Sequence, residues 1–290
     1  MKLDNRIKAR IESFLDDSIN SISTISGGCI SESFKINMHS GRSYFLKLNF
    51  DCPADMFLKE ANGLKELGKS NSIKIPEVIL ADKSFILLEF ISMGNKSGNF
   101  FEDFGRKFAG MHKFTSNSFG FYEDNYIGSN VQINIPAESG KNNWTKFYFN
   151  NRILFQYKLA EKKGYATKEL TTGISALENK IESILLGSEE IPSLLHGDLW
   201  GGNFMIDELG NACLIDPAVY YGHREADLAM TKLFGGFNRN FYSAYNEFFP
   251  LPDGYEYREN IYKLYHVLNH LNLFGSGYYS QAISLINFYL

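Results

Sequence analysis

The stretch that decides the fold is His196-Gly197-Asp198-Leu199-Trp200-Gly201-Gly202-Asn203, with Leu214-Ile215-Asp216-Pro217 shortly after it. Asp198 and Asn203 stand five positions apart, the offset between proton acceptor and metal-binding amide in loops that transfer phosphoryl groups. Phosphoryl transfer asks for little covalent chemistry, but it needs positioned carboxylates and metal ligands. Asp198 is the candidate base, and Asn203 and Asp216 are the candidate magnesium ligands. Asp216 ends the apolar run Ala212-Cys213-Leu214-Ile215, which puts its carboxylate at a strand tip. Gly201-Gly202 allows the loop to fold back. Taken singly, His-Gly-Asp is an ordinary turn and Asp216 a helix cap; together, at matching offsets, they point to catalysis.

Working outward, the first third of the chain supplies what a nucleotide needs. Lys47 lies within Tyr44-Phe45-Leu46-Lys47-Leu48, a short strand where an unpaired ammonium is costly. Glu60, on a helix expected over 55–67, is the acid at the right distance to pair with it and hold the α- and β-phosphates. Glu66 is the competing acid, nearer the helix end. Upstream, Gly27-Gly28 with Ser31 forms a candidate flap whose backbone N–H groups can approach phosphate closely, although alone it reads as a hairpin turn. Glu89, closing the strand-like run from Phe85, belongs to the nucleotide side of a hinge expected near residues 89–94.

A helix is expected over residues 5–19, from Ile7, Ile11, Phe14, Leu15 and Ile19 on one face. Helical spacing then dominates after the hinge, at Phe101 to Met111, Phe147 to Leu159, Leu177 to Leu185 and Ile261 to Leu273. The polar, turn-rich stretch 128–143 reads as a surface loop. Strands first and helices later give an α+β chain of two lobes, with a small antiparallel-sheet lobe over 1–91 and a mainly helical lobe over 92–290.

Composition narrows the function classes. The 290 residues are 44% hydrophobic and 21% charged, enough to bury a core. The 25 Phe and 17 Tyr are expected mostly in that core. A net charge of −4 with scattered basic residues is a poor footprint for nucleic acid. No apolar run is long enough for a bilayer, and the opening residues lack a secretion signal. Cys29, Cys52 and Cys213 are far apart and odd in number, so neither a zinc site nor a disulfide framework is expected, and a reducing cytoplasm is.

With these residues in place, the chain resembles the fructosamine kinase or ketosamine-3-kinase family, within the wider protein-kinase-like and aminoglycoside-phosphotransferase fold. The resemblance rests on Gly27 to Glu32, Leu194 to Asn203, Asp216 to Met230, Leu233-Phe234-Gly235-Gly236-Phe237 and Leu268-Asn269-His270-Leu271-Asn272. It implies ATP- and magnesium-dependent phosphorylation of the sugar 3-hydroxyl of ketoamines, on small molecules or glycated protein lysines, by a monomer or homodimer. The product is unstable and releases the amine, so the reaction deglycates.

Carried onto these positions, the resemblance puts Trp200 against the substrate, with His270 and Tyr221 as further substrate contacts. Arg224, Glu225 and Asp227 read as a charge network bracing the catalytic loop. Cys29, in the phosphate-covering flap, is a redox candidate. Gly202 stands where many members carry Ser, an exchange expected to be neutral. Two rivals remain. One is a kinase for another small hydroxyl compound, such as an aminoglycoside or choline. The other is a nucleotide-binding regulator without turnover, which predicts a missing base, ligand or lysine.

Overall fold

The computed structural model describes residues 3–25 and 31–290. The expectations for Gly27, Gly28 and Cys29 therefore lie outside the described residues. Helix α1 (Asn5–Leu15) starts where the Asp4 carboxylate accepts the backbone N–H groups of Arg6 and Ile7, and it buries Ile7 and Ile11. It stops earlier than the apolar spacing suggests. Asp16 takes a left-handed conformation with φ 49°, and Glu12 folds its carboxylate back onto the Ile19 N–H at 2.8 Å. Ile19 thus opens a strand instead of closing the helix.

Strands β1 (Ile19–Ile25), β2 (Glu32–Met38), β3 (Ser43–Leu48), β4 (Val78–Ala81) and β5 (Phe85–Glu89) form one antiparallel sheet in the order β1-β2-β3-β5-β4, with α2 (Met56–Gly68) inserted after β3. Side chains alternate across a strand. Tyr44, Leu46 and Leu48 therefore face α1, packing with Ile7, Ile11, Phe34 and Ile36. Phe45 takes the opposite face, toward Phe57, Ala61 and Leu64 of α2. Lys47 shares Phe45's face by the same period, so strand geometry alone aims its ammonium at α2.

The rest is mainly helical. In order come α3 (Phe100–His112), the hairpin β6 (Asn125–Ile127) and β7 (Asn130–Gln132), α4 (Trp144–Tyr148), a π-helical turn (Phe149–Leu154), α5 (Phe155–Lys162) and α6 (Lys168–Ile184). Then follow β8 (Ser193–Leu195), β9 (Phe204–Ile206), β10 (Ala212–Leu214), β11 (Tyr220–Gly222), α7 (Glu225–Leu233), α8 (Arg239–Phe248), α9 (Tyr255–Phe274) and α10 (Tyr279–Asn287). β11 pairs with β8, and β10 with β9. These two short ribbons bracket the stretch 196–203 and lead into Asp216. Most rings lie in the core, as with Phe104, Phe108 and Phe241 packed edge to face. Among the described residues no helix is long and apolar enough to cross a membrane.

The segment 128–143 is a surface loop from Ile135 to Asn143, but its first part turns polar side chains inward. Asn130, Gln132 and Asn134 are buried at alternate positions, and each is hydrogen-bonded. Gln132 donates to the Asn125 side chain and the Ala218 carbonyl, both at 2.8 Å, and accepts from the Tyr265 hydroxyl at 2.8 Å. Arg152, fully buried on the π-helical turn, donates to Ile133 O and Asn134 Oδ1 and lies with its guanidinium 4.0 Å from the Tyr220 ring centre. A cation held by carbonyls and π faces needs no carboxylate.

Candidate active site

β8 delivers the backbone to His196, and Gly197 turns it at φ +82°. A Cβ at Gly197 would stand 1.9 Å from the Ala218 carbonyl oxygen, so both the conformation and the close approach require glycine. The turn is then fixed from below. The Asp227 carboxylate, on α7, accepts the N–H of His196 at 2.6 Å and of Gly197 at 2.8 Å. His112 donates its Nε2–H to the same carboxylate at 3.2 Å, and its Nδ1 meets the Tyr245 hydroxyl at 2.6 Å. Burial alone would raise the Asp227 pKa, but these donors hold it below the ordinary carboxylate value. Asp227 acts through the loop it braces.

His196 ties the loop to the strand that carries Asp216. Its Nε2 lies 3.0 Å from the Ile215 carbonyl and its Nδ1 3.3 Å from the Asp198 N–H. A carbonyl only accepts and an N–H only donates, so the ring is the neutral Nε2–H tautomer. Burial lowers its pKa and keeps it so. Ile215 N–H also donates to the Asn203 carbonyl at 3.1 Å. Asp198, Asn203 and Asp216 are thereby brought to one place by short backbone links.

Asn203 Nδ2 donates to the Asp198 carbonyl at 2.8 Å and to Asp198 Oδ2 at 3.2 Å. Its Oδ1 has no partner among the described residues. The Asp198 carboxyl is held well above the ordinary value, first by burial and then by the neighbouring Asp216. Asp216 has a left-handed backbone, φ 55°. That conformation costs a non-glycine residue about 1–2 kcal/mol, and such strain collects at functional positions.

Lys47 Nζ lies 2.9 Å from Glu60 Oε1 and 2.8 Å from Asp216 Oδ1. Burial disfavours its charge, yet Asp216 and Glu60 outweigh burial and raise its pKa. Burial likewise raises the Glu60 pKa. Glu66, the competing acid, is taken by Lys69 and by the Tyr221 hydroxyl, which donates to Glu66 Oε1 at 2.8 Å. Tyr221 is thus a buried tie between α2 and β11. Glu89 is bound through both oxygens by Lys74, at 2.6 and 2.8 Å, and accepts the Glu77 N–H at 3.2 Å. Its carboxylate fixes the end of β5. Ser31 is half-buried at the entry to β2.

Trp200 is 37% exposed, two residues beyond Asp198, and meets Phe234 edge to face at 5.7 Å. His270 follows, 4.9 Å from the Phe234 ring. Its Nδ1 lies 2.7 Å from the His266 carbonyl, so Nδ1 carries the proton and Nε2 presents a lone pair. Burial lowers the His270 pKa, which keeps that lone pair available at neutral pH.

Gly202 lies against the Trp200 ring. A Cβ there would come within 2.5 Å of the Trp200 indole. Gly202→Ser is expected to push the ring off the turn, raising KM for the phosphoryl acceptor about tenfold, equivalent to about 1.4 kcal/mol, with KM for ATP little changed. Trp144, the other tryptophan, is buried, so a red shift in emission reports Trp200. Unchanged acceptor KM would remove the indole from the acceptor site.

Comparison with known proteins now bears on this geometry. The fructosamine kinase family model matches residues 3–290. The chain belongs to the fructosamine kinase family. A protein-ribulosamine 3-kinase of Arabidopsis thaliana is 40% identical over 282 residues, covering 94% of this chain and 83% of that one. A probable ketoamine kinase of Vibrio parahaemolyticus is 40% identical over 271 residues, covering 91% of this chain and 90% of that one. A Thermobifida fusca crystal structure that carries a fructosamine-3-kinase name superposes with a TM-score of 0.87 at 30% identity, over 99% of both chains. An aminoglycoside phosphotransferase, APH(2")-IIa, shares the fold with a TM-score of 0.62 at 17% identity, over 99% of this chain and 97% of that one. The two-lobed α+β fold is therefore the protein-kinase-like one, and the fructosamine kinase family implies use of ATP.

Sequence reasoning missed the braces of this site. His112 and Tyr245 come from distant helices, and no spacing announces them. Asn130, Gln132 and Asn134 did leave a signal. Their period of two is a strand period with its polar face turned inward.

Proposed function

We propose that this chain is an ATP-dependent ketoamine kinase that phosphorylates the sugar 3-hydroxyl of a ribulosamine or fructosamine, including those on protein lysines, and so promotes deglycation. The observation that carries the reading is the single cluster of Asp198, Asn203 and Asp216 with Lys47 and Glu60. It supports the enzymatic reading over a nucleotide-binding regulator, because base, ligands and lysine are all present together.

Asp198 takes the proton of the attacking hydroxyl. Its raised pKa makes it a better acceptor than an ordinary carboxylate. Lys47, held by Glu60, offers its ammonium to phosphate oxygens. Ser31, at the entry to β2, is proposed for the same nucleotide side, with Glu89 at the end of the sheet. The donor set suits magnesium: a free amide oxygen on Asn203 and a half-exposed carboxylate on Asp216 are hard oxygen ligands. Among the described residues no group of three or more His, Cys, Asp or Glu could hold a metal. Magnesium is commonly held by one or two protein oxygens together with substrate phosphates and water. When bound, magnesium neutralises charge on the transferring phosphate.

Trp200 presents an apolar face to the C–H surface of the sugar, and its π face suits a protonated amine. The His270 Nε2 lone pair accepts from a hydroxyl or from the N–H of that amine. The lobes divide near residue 91, between β5 and α3. A reducing cytoplasm suits the free thiols of Cys52 and Cys213.

Phosphorus NMR of products from ATP and a synthetic ribulosamine tests the reading. A sugar 3-phosphate signal is expected. Transfer to an aminoglycoside or choline instead, with no ribulosamine product, would overturn it.

A further inference from the structure

Beyond the sugar site, a row of rings runs outward across the surface. It starts at Trp200, passes to Phe234 at 5.7 Å, to His270 at 4.9 Å, and on to Phe274 at 5.4 Å and Tyr278 at 5.1 Å from His270. Phe274 and Tyr278 also meet, at 6.2 Å. Three members are well exposed: Trp200 at 37%, Phe234 at 40% and Phe274 at 58%. The backbone builds this row. Gly235 and Gly236 take φ +92° and +74°, which sends Phe234 outward while Phe237 packs inward against Phe104, Phe204 and Phe241. Gly275 at φ +93° ends α9 directly after Phe274 and brings Tyr278 back beside it.

Exposed rings in a continuous row are uncommon on a surface with no partner. Here the row is continuous with the acceptor site, which argues what covers it. The reacting hydroxyl must lie at Asp198 with the sugar against Trp200, so whatever the ketoamine nitrogen carries must leave past Phe234 and His270. Steps of 4.9 to 5.7 Å suit an extended peptide, which rises roughly 3.3 Å per residue and so reaches the next ring within two residues.

We propose that the Trp200–Phe234–His270–Phe274–Tyr278 row is a docking subsite for the polypeptide around a ketoamine-bearing lysine, selecting sites with an aromatic or large aliphatic residue beside that lysine. The proposal rests on the ketoamine kinase reading and specifies its substrate class. Phe234 and Phe274 act as specificity residues, gripping the chain on either side of His270.

The test uses the full chain, ATP and three acceptors: free ribulosyl-lysine, and two short peptides carrying ribulosyl-lysine flanked by Phe or by Gly. Wild type is expected to favour the Phe-flanked peptide over the Gly-flanked one by about tenfold in kcat/KM. Phe274→Ser, an exposed change at a helix end, is expected to cut that preference to about twofold with free ribulosyl-lysine turned over as before. Phe234→Ala serves as a second variant, and its thermal unfolding checks that it folds. Equal use of both peptides by wild type overturns the proposal, as does a preference that survives in both variants. If Phe274→Ser instead converts a dimer to a monomer in sedimentation and leaves the preference intact, the row covers a second copy and the proposal fails. Absence of turnover with all three acceptors would defeat the functional reading itself.

Discussion

Asp198→Asn is expected to lower kcat for ketoamine phosphorylation by about 10²–10⁴-fold, with ATP affinity held within about threefold. The substitution is close to isosteric, and most of the loop's bonds do not pass through the carboxylate. Asn203 Nδ2 still reaches the Asp198 carbonyl, and the Asp198 N–H still meets His196 Nδ1. Asp227 still holds the two N–H groups before it. What disappears is a carboxylate whose proton affinity is raised by burial and by Asp216. ATP affinity is expected to hold because Lys47 and Glu60, the proposed phosphate-anchoring pair, make no bond to the Asp198 side chain. Single-turnover phosphorus transfer with the variant, beside ATP binding by calorimetry, checks both halves. Turnover near wild type would remove Asp198 as the base.

The second large effect is loss of stability in mild acid. His223 and His266 are buried neutral, with pKa values pushed down to about 3, in each case chiefly by burial; the cation of Arg258 adds to this at His223 and neighbouring His270 at His266. His266 Nδ1 has no hydrogen-bond partner, and the pull of the Asp227 carboxylate does not offset burial there. For a group whose folded pKa is depressed, stability is complete above the unfolded value near 6.5 and drains away as pH falls toward the folded value. At about pH 4.5 each ring accounts for roughly 2–3 kcal/mol, against a total of about 5–15 kcal/mol for a typical fold. His112, His196 and His270 are lowered as well and act in the same direction. Asp198, Glu60 and Glu190 are raised, first by burial, and act in the opposite one. The histidine share is isolated by His266→Gln. Its melting temperature should fall less than that of wild type between about pH 6.5 and pH 4.5. Parallel curves for the two proteins would rule out His266 as a source of the acid loss.

The convergence of the candidate site residues was legible because short-range covalent spacing brings them together. Asp198, Asn203 and Asp216 sit on one loop and its following ribbon, and Lys47 follows from strand period plus the cost of a buried ammonium. Glu60 followed from reach along α2. What failed to read were decisions made by tertiary contact. Ile19 fits a helical face, yet an Asp16 turn and the Glu12 carboxylate assign it to β1. The bond between Tyr221 and Glu66 exists only because α2 docks beside β11. The amides of 128–143 were read as solvent-facing because polarity was taken for exposure; buried amides are stable wherever both of their ends are bonded. Gly202 looked like a tolerant turn residue until the indole folded over it.

The wall formed by Asn125, Asn130, Gln132, Asn134, Tyr265 and Asn269 has a physiological consequence. It is built from neutral dipoles, and its one cation, Arg152, is sealed among rings and carbonyls. Dissolved ions attenuate forces between groups that face water, within about 8 Å at cellular ionic strength. They have little hold on this wall, whose arrangement is therefore expected to change little with ionic strength.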